Sequence, residues 1–514
     1  MIVCTTLKIP YLWVDRLCII QDEEESKSVQ ISAMGDIYSH SVVTICAVAG
    51  EDANHGLPGV SEKRDTVPWY SECQGVHLVK YHLTPRSLFE RSKWNSRGWT
   101  FQETILSSRL LLFTDEGVFF ECSSEEGIRV EKRKIRSNLR EAHNVFLGGG
   151  LDQSYIMQLT AFTQRDLTFE SDILRAFSGI LRAYWGNEHY YGIPYSLFGA
   201  RLLWQSMDGK YQRRTPNAGD MFPSWSWSSI LGGISLPVSY EDEYSVPLAR
   251  WAIPNLKYDH PSVIIIPEGS AIPEWGQSKW DYRDIAVLMA WKEGCFPAPL
   301  PEELKLTTTW DEYSKIVKSK WSMAEEMADF ALGISTSEDP PEKKESVFTP
   351  EIVRFARQPG RLLVYAQCLP ARVMLPSRPP NDLPDVYIGL TSGDANTIGW
   401  LVREATNCEM LWTRAKDPSV VFEIVAIHLK RESAQRYTLP YVSPAEGTGS
   451  EDDPFCWRDA EQNALIINGA PAVFLMRFML VMTADGISTR VGLGVTHLKF
   501  WIKACPQFKT LVLA

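Results

Sequence analysis

Trp99 and Glu103 stand four residues apart, a spacing that puts both on one face of a helix. An indole beside a carboxyl group is chemically useful. The ring can stack on a flat ligand, and its apolar surface raises the carboxyl pKa by desolvation. Glu103 is therefore the candidate catalytic group. The same residues also permit a plainer use. Thr100-Phe-Gln-Glu103 fits a capping box, in which the Glu side chain bonds the cap's own N–H and closes the first helical turn. On spacing alone the cap is the commoner outcome, and both readings stay open. Asp15 falls where an apolar strand over residues 11–19 should end, and open α/β sheets bind ligands beyond such strand ends. Its alternative is to cap a turn or to pair with Arg97. Gln21 and Cys18 follow closely. Cys18 lies between Leu17 and Ile19, a setting that suits a buried structural thiol. Trp99, Asp15, Arg97, Gln21 and Cys18 make up the candidate substrate-binding set around Glu103.

Other chemistries find little support. Cys73, His77 and His82 have loose metal spacing but no second ligand pair, so no zinc site is expected. Cys18 with His40 or His55 lacks the surroundings of a thiol-protease pair. The sequence has no Walker motif and no G-x-S-x-G elbow. Gly492-Leu-Gly494 lacks the third glycine of a dinucleotide fingerprint. A net charge of −11 argues against a nucleic-acid partner. The basic run Glu131-Lys-Arg-Lys-Ile-Arg136 reads as a solvated helix face. No stretch approaches the ~20 apolar residues of a membrane helix, and Asp15 and Arg16 interrupt any secretory signal. The ten cysteines are scattered, and several sit in apolar runs, which suits free thiols in a reducing cytoplasm.

These side chains need elements to position them. After the strand expected over 11–19, Asp22-Glu-Glu-Glu25 starts a helix that runs to about Ser39, with Val29, Met34, Ile37 and Tyr38 recurring near helical spacing. The β-branched run over 42–48 reads as a buried strand, completing a strand–helix–strand unit with a parallel sheet. Residues 99–107 read as a short helix. A strand, the turn Asp115-Glu-Gly117 and a second strand follow, the latter ending at Cys122. Residues 160–205 look helical, with Asp172 placed to cap a helix carrying Phe177 and Ile180. Strand signals dominate from residue 223 on, at 262–266, 361–368, 385–390, 420–428, 473–482 and 492–500. Polar inserts near 335–346 and 443–454 interrupt them, both expected to be disordered loops. The 514 residues exceed one ordinary core. They divide into an α/β domain over 1–125, a helical connecting region over 126–222 and a β-rich region over 223–514.

Three blocks carry a family resemblance. They are Tyr11-Leu-Trp-Val-Asp-Arg-Leu-Cys-Ile-Ile-Gln-Asp22, Met34-Gly-Asp-Ile-Tyr-Ser-His-Ser41 leading into Val42-Val-Thr-Ile45, and Arg97-Gly-Trp-Thr-Phe-Gln-Glu103 with Leu106-Ser107. In that order they resemble fungal heterokaryon-incompatibility (HET) domain proteins. Phe169-Glu-Ser-Asp172, Pro223-Ser-Trp-Ser-Trp227, Cys456-Trp-Arg-Asp459 and Arg490-Val-Gly-Leu-Gly494 resemble stretches in the C-terminal parts of large members.

The resemblance implies a role in self/non-self recognition and programmed cell death, with self-association or an incompatibility partner protein as the interaction. HET domains are in turn similar to TIR domains. That implies a flavodoxin-like parallel sheet and NAD+ cleavage, with Trp99-Thr-Phe-Gln-Glu103 matching the TIR Trp-Cys-x-x-Glu spacing. Glu103 would then hold the ribose hydroxyls and stabilise the oxocarbenium-like centre, with Asp15 and Trp99 lining the pocket. NAD+ enters as substrate, and no cofactor is implied. Arg16 departs from the small polar residue common at its position. The opening strand of the family, resembling Tyr-x-Ala-Leu-Ser-Tyr-x-Trp-Gly, is not matched, since residues 1–10 match only the tail of the helix after it. Weak or absent catalysis is expected for an incomplete sheet. The alternatives are a non-enzymatic signalling protein acting by self-association and an inactive, truncated gene product.

Overall fold

Residues Glu24–His40 form a 17-residue helix, α3, as the Asp22–Glu25 start and the recurring Met34 and Tyr38 predict. The structure is a computed structural model. It describes residues 1–60, 70–79, 85–122, 128–130, 133–135, 151–196, 198–215, 222–236, 245–266, 347–374, 388–391, 397–417, 420–433, 465–467, 470–497, 501, 504 and 506–514. The chain forms two units. One comprises Met1–Gly192, Arg214–Asp220 and Gly232–Ser235, and the other Ile193–Arg213, Met221–Leu231 and Leu236–Ala514. Both polar inserts, 335–346 and 443–454, lie outside the described residues.

The first unit opens with the short helices α1 (Ile2–Thr6) and α2 (Asp15–Cys18) before α3. Strand β1 (Thr44–Ala47) follows, then the hairpin of β2 (Tyr70–Cys73) and β3 (Val76–Val79). Helices α4 (Pro85–Glu90), α5 (Lys93–Ser96) and α6 (Trp99–Leu106) lead to β4 (Arg109–Phe113), β5 (Val118–Cys122), β6 (Ile128–Val130) and β7 (Arg133–Ile135). Helices α7 (Leu151–Thr163) and α8 (Arg175–Trp185) complete the unit's regular helices.

Its main sheet runs β1-β4-β5-β6-β7. Only β1 and β4 are parallel, in the register Thr44↔Leu110 to Ala47↔Phe113. The rest is an antiparallel meander turning at Asp115–Gly117, where Thr114 N–H donates to the Gly117 carbonyl at 3.0 Å. Cys46, Val48, Phe89, Trp94, Leu110, Leu112 and Phe119 form one core against this sheet. Helices α6, α7 and α8 meet through Phe101, Phe162 and Phe177, the last two stacked at 4.8 Å.

Three expectations need correction. Residues 11–19 are not a strand. Residues 11–14 lie in no strand, and the N–H groups of Leu17, Cys18 and Ile19 fold back onto the carbonyls of Val14 and Asp15 as α2. An apolar run alone does not separate strand from helix. Here only Ile19 is buried, while Tyr11, Leu12, Leu17 and Ile20 are exposed, so the run does not line a core. With 11–14 outside the sheet, the described residues of this unit hold a single parallel pair. Arg133–Ile135 of the basic run is strand β7, paired with β6, rather than a helix face. Asp172 lies in a short 3-10 turn before α8, whose N-cap is Leu174, and its carboxylate meets Arg175 at 3.4 Å.

The second unit is strand-rich, as the sequence predicts. Among the described residues eleven strands form one sheet, almost all antiparallel. Leu362–Val373 pairs with Ala249–Pro254, Gln507–Leu513 and Phe422–Ser433, and Ala470–Ala484 bridges Phe422–Ser433 to Ile487–His497. Gly492-Leu-Gly494 serves this packing. A Cβ at 492 would lie 2.5 Å from Thr406 Oγ1, and one at 494 would lie 2.3 Å from Phe478.

Candidate functional site

Helix α6 begins at Trp99 on Gly98, with no side-chain cap. Thr100 is buried inside the first turn, and its hydroxyl donates backward to the carbonyls of Trp94 (2.6 Å) and Arg97 (2.8 Å). It therefore cannot be the N-cap of a capping box, and Glu103 is released from the role of closing that box. The Glu103 carboxyl interacts with Tyr38 of α3 instead.

The entry to α6 is clamped from the far side of the chain. Gly98 N–H donates to the Asp166 carbonyl at 2.7 Å, and Asp166 N–H donates to that of Ser96 at 2.6 Å. A Cβ on Gly98 would sit 2.5 Å from Leu167 Cδ2, so any larger residue there would have to push the Leu167 side chain aside. Arg165 completes the clamp. Its guanidinium donates to Asn95 Oδ1 (2.5 Å), the Arg97 carbonyl (3.3 Å) and Thr100 Oγ1 (3.3 Å), and it lies 4.7 Å over the Phe101 ring.

Tyr38 is buried, with Trp13 edge-on to its ring at 5.8 Å and 85°. Ile19, Met34 and Tyr38 form a small apolar cluster, flanked by Trp13, Ile31, Trp99 and Leu106. Hydroxyls tie the ends of α3 and α6 together. Ser41 Oγ donates to the Tyr38 carbonyl (2.8 Å), and Ser107 Oγ donates to the Glu103 carbonyl (2.6 Å). Thr44 Oγ1 lies between them, 3.0 Å from Ser41 Oγ and 2.6 Å from Ser107 Oγ. The second and third sequence blocks thus meet at their ends.

Charge gathers on Glu103. Burial pushes its carboxyl up to about 7, against the pull of Arg97; Asp15 raises it further, while the Tyr38 hydrogen bond and Arg165 lower it. Burial, then the charges of Glu103 and Asp15, push the Tyr38 phenol above its usual range, so it stays a donor. Burial lowers Arg165 to about 9, with Glu103 opposing, so it remains a cation at neutral pH. Glu103 itself is only partly covered. The result is a partly covered carboxyl group poised near neutral pH beside Tyr38, whose apolar cluster Trp13 and Trp99 flank. Such a group can accept or hold a proton, bond hydroxyls of a ligand and stabilise positive charge.

Of the residues expected in the site, Asp15 and Arg97 act on the charge of Glu103, and Trp99 lies on the apolar flank of Tyr38. Cys18 and Gln21 serve the α2 turn: Cys18 Sγ accepts from Val14 N–H at 3.5 Å, and Gln21 Nε2 donates to the Ile19 carbonyl at 2.9 Å. Cys18 is exposed, contrary to the buried thiol expected, because its flanking apolar residues belong to an exposed turn. Tyr38 and Arg165 were missed. Tyr38 carried a signal, since a buried tyrosine on a helix face needs a partner for its hydroxyl. Arg165 carried none. Among the described residues no group of three or more His, Cys, Asp or Glu could hold a metal ion, and no helix is long and apolar enough to cross a membrane.

Comparison with known proteins bears on this same region. Residues 1–103 match the family model described as Heterokaryon incompatibility protein (HET). A 53-residue stretch is 43% identical to Heterokaryon incompatibility protein 6, OR allele, of Neurospora crassa, covering 10% of this chain and 8% of that protein. No solved structure matches the chain.

Proposed function

The chain carries a heterokaryon-incompatibility (HET) domain at residues 1–103, and from that premise we propose that it acts in fungal incompatibility, as an effector of cell death in self/non-self recognition. We further propose that the first unit cleaves NAD+ in the manner of TIR domains, with Glu103 as the catalytic carboxylate. One observation carries this reading. Glu103 does not close a capping box, and its carboxyl, raised by burial, is acted on by the charges of Arg97 and Asp15 and by Tyr38, against whose cluster Trp13 and Trp99 pack. In the reaction the bond between nicotinamide N1 and ribose C1′ breaks, and its electron pair leaves with nicotinamide. Water adds to C1′ and releases a proton. The carboxylate bonds the ribose hydroxyls and stabilises the cationic centre, Trp99 supplies a stacking surface, and Asp15 adds negative charge. The test is NAD+ consumption by the purified chain with Glu103→Ala beside it. A fall of at least about 100-fold is expected. Equal consumption by both proteins would sink the reading.

A non-enzymatic reading has its own support. Tyr11 and Leu17 are 86% and 81% exposed, with Leu12 and Ile20 exposed nearby, and clustered exposed apolar side chains mark protein-interaction surfaces. Self-association through them would signal without turnover. Sedimentation of the wild type and of a Tyr11→Ser, Leu17→Ser double variant distinguishes the cases. An identical monomer in both eliminates self-association through this surface.

A further inference from the structure

Helix α6 starts without a side-chain cap of its own, because its N-cap is Gly98. The N–H groups of a first helical turn have no partner inside the helix, and this helix start takes one from another part of the chain. Gly98 N–H donates to the Asp166 carbonyl at 2.7 Å, and Asp166 N–H donates back to the Ser96 carbonyl at 2.6 Å. Arg97 and Asp166 thereby form an isolated parallel bridge. Arg165 adds the side-chain half. Its guanidinium donates to Asn95 Oδ1 at 2.5 Å, and to the Arg97 carbonyl and Thr100 Oγ1 at 3.3 Å each. One planar fork thus spans residues 95–100. Arg165 is itself fixed. Its N–H donates to the Phe162 carbonyl of α7 at 3.0 Å, and its guanidinium lies 4.7 Å over Phe101, whose ring packs on Phe162 and Phe177.

We propose that Arg165 and Asp166 are positioning residues for the proposed site, fixing where Arg97 and Trp99 stand. The assignment rests on the reading of Arg97 and Trp99 as substrate-binding residues, and it gives neither clamp residue a contact with ligand. Arg97 is exposed and Trp99 half-buried, on either side of the buried Gly98 that the clamp holds. The other end of α6 is tied separately, by Ser107 Oγ to the Glu103 carbonyl at 2.6 Å and to Thr44 Oγ1 at 2.6 Å. Loss of the clamp therefore frees the Arg97–Trp99 end while the Glu103 end keeps its tie. Both clamp residues lie beyond the 1–103 stretch that matches the family model, so part of what shapes the site comes from outside that stretch. Arginine suits the position because its rigid fork serves three acceptors at once, whereas an ammonium is a point donor on a flexible stem.

The test follows Trp99 by fluorine NMR in the full chain labelled with fluorotryptophan, Trp99→Phe identifying its resonance. Hydrogen exchange over residues 95–101 is read beside it. In Arg165→Gln the Trp99 resonance is expected to move and exchange over 95–101 to quicken by about tenfold. Exchange in α8 and β4 is expected to stay as in the wild type. Arg165→Lys is expected to repeat both changes, since charge without the fork does not restore the contacts. A role in stability alone would leave the Trp99 resonance of the folded chain in place and quicken exchange throughout the unit. Either result overturns the proposal, as does full rescue by lysine. Should Arg165→Gln fail to fold, Asn95→Ala removes one acceptor of the fork and leaves Arg165 in place. It is expected to move the Trp99 resonance by a smaller amount, and an unmoved resonance overturns the proposal. Neither readout involves turnover. A moved resonance in a protein whose wild type consumes no NAD+ sinks the enzymatic reading and leaves the clamp intact. Where the wild type does consume NAD+, Arg165→Gln is expected to raise KM with kcat little changed, and a loss in kcat alone overturns the proposal.

Discussion

Gly35 of α3 and Gly179 of α8 face each other so closely that a Cβ on Gly35 would lie 2.9 Å from the Gly179 Cα. A Cβ on Gly179 would meet Gln102 Oε1 at 2.5 Å and the Gly35 Cα at 3.1 Å. The two glycines let three helices converge: α3 with Tyr38, α6 with Glu103, and α8 behind them. The site is assembled by this crossing, because Tyr38 lies one turn beyond Gly35 and Glu103 directly follows Gln102.

Alanine at 35 therefore forces backbone apart, whereas alanine at 179 collides first with the buried Gln102 side chain and then presses on the Gly35 backbone. Gly35→Ala and Gly179→Ala are each expected to cost about 1–3 kcal/mol, even though alanine has the higher intrinsic helix propensity. Urea unfolding of each variant beside the wild type measures the cost. A gain in stability, as propensity alone would give, would show that the helices do not cross this closely.

Glu103 makes stability depend on pH with a definite sign. Its carboxyl is raised from the ordinary 4.5 to about 7 by burial, with Asp15 adding to the rise. Between those two values the unfolded chain has lost the proton and the folded chain keeps it, so this group's contribution falls as pH rises. Below 4.5 the contribution is fully present, and above about 7 the loss is complete. Glu103→Gln, which cannot ionise, should thus gain stability relative to the wild type as pH climbs through that window and hold a constant margin beyond it. Thermal unfolding of both proteins across the window gives the comparison, and a constant margin throughout would contradict a raised carboxyl.

The helices around the site were legible in the sequence because their signals are local. Acidic residues start α3, Met34 and Tyr38 mark its buried face, and the 99–107 spacing gives α6. The hairpin at Asp115–Gly117 was equally plain, since turn chemistry is set by adjacent residues. Residues 11–19 misled because an apolar run records hydrophobicity but not whether a neighbouring strand exists to pair with it. The capping box misled for a related reason. The sequence placed Thr100 and Glu103 at the right spacing, but the helix cap falls two residues earlier, at Gly98, where Arg165 and Asp166 hold residues 95–98 from about 70 positions away. Contacts at that separation leave no periodic trace, which is why Arg165 was not foreseen. Asp15, Arg97 and Glu103 are nominated by chemistry alone, whereas Tyr38 emerges only from the α3–α6 crossing.

Arg490 in the second unit offers a test of a buried cation that serves structure. Its guanidinium donates to the carbonyls of Leu202 (2.9 Å) and Trp204, it lies 3.7 Å over the Trp204 ring, and its own N–H donates to Ser224 Oγ at 3.0 Å. Burial lowers its pKa to about 10, with Tyr211 opposing and Arg213 adding to the fall, so it stays charged at neutral pH. The fork geometry lets one side chain satisfy two carbonyls while stacking flat on an indole, a combination the ammonium of lysine cannot reproduce. Arg490→Met keeps much of the volume but leaves both carbonyls without this donor. It is expected to cost roughly 2–4 kcal/mol, with Arg490→Lys recovering only part of the loss. Chemical unfolding followed by tryptophan fluorescence reports on this region, because Trp204 and Trp225 are both buried and linked by the Trp204 Nε1–Trp225 carbonyl bond at 2.8 Å. Full recovery by lysine would mean that charge alone matters at this position and that the fork and stacking contacts contribute little.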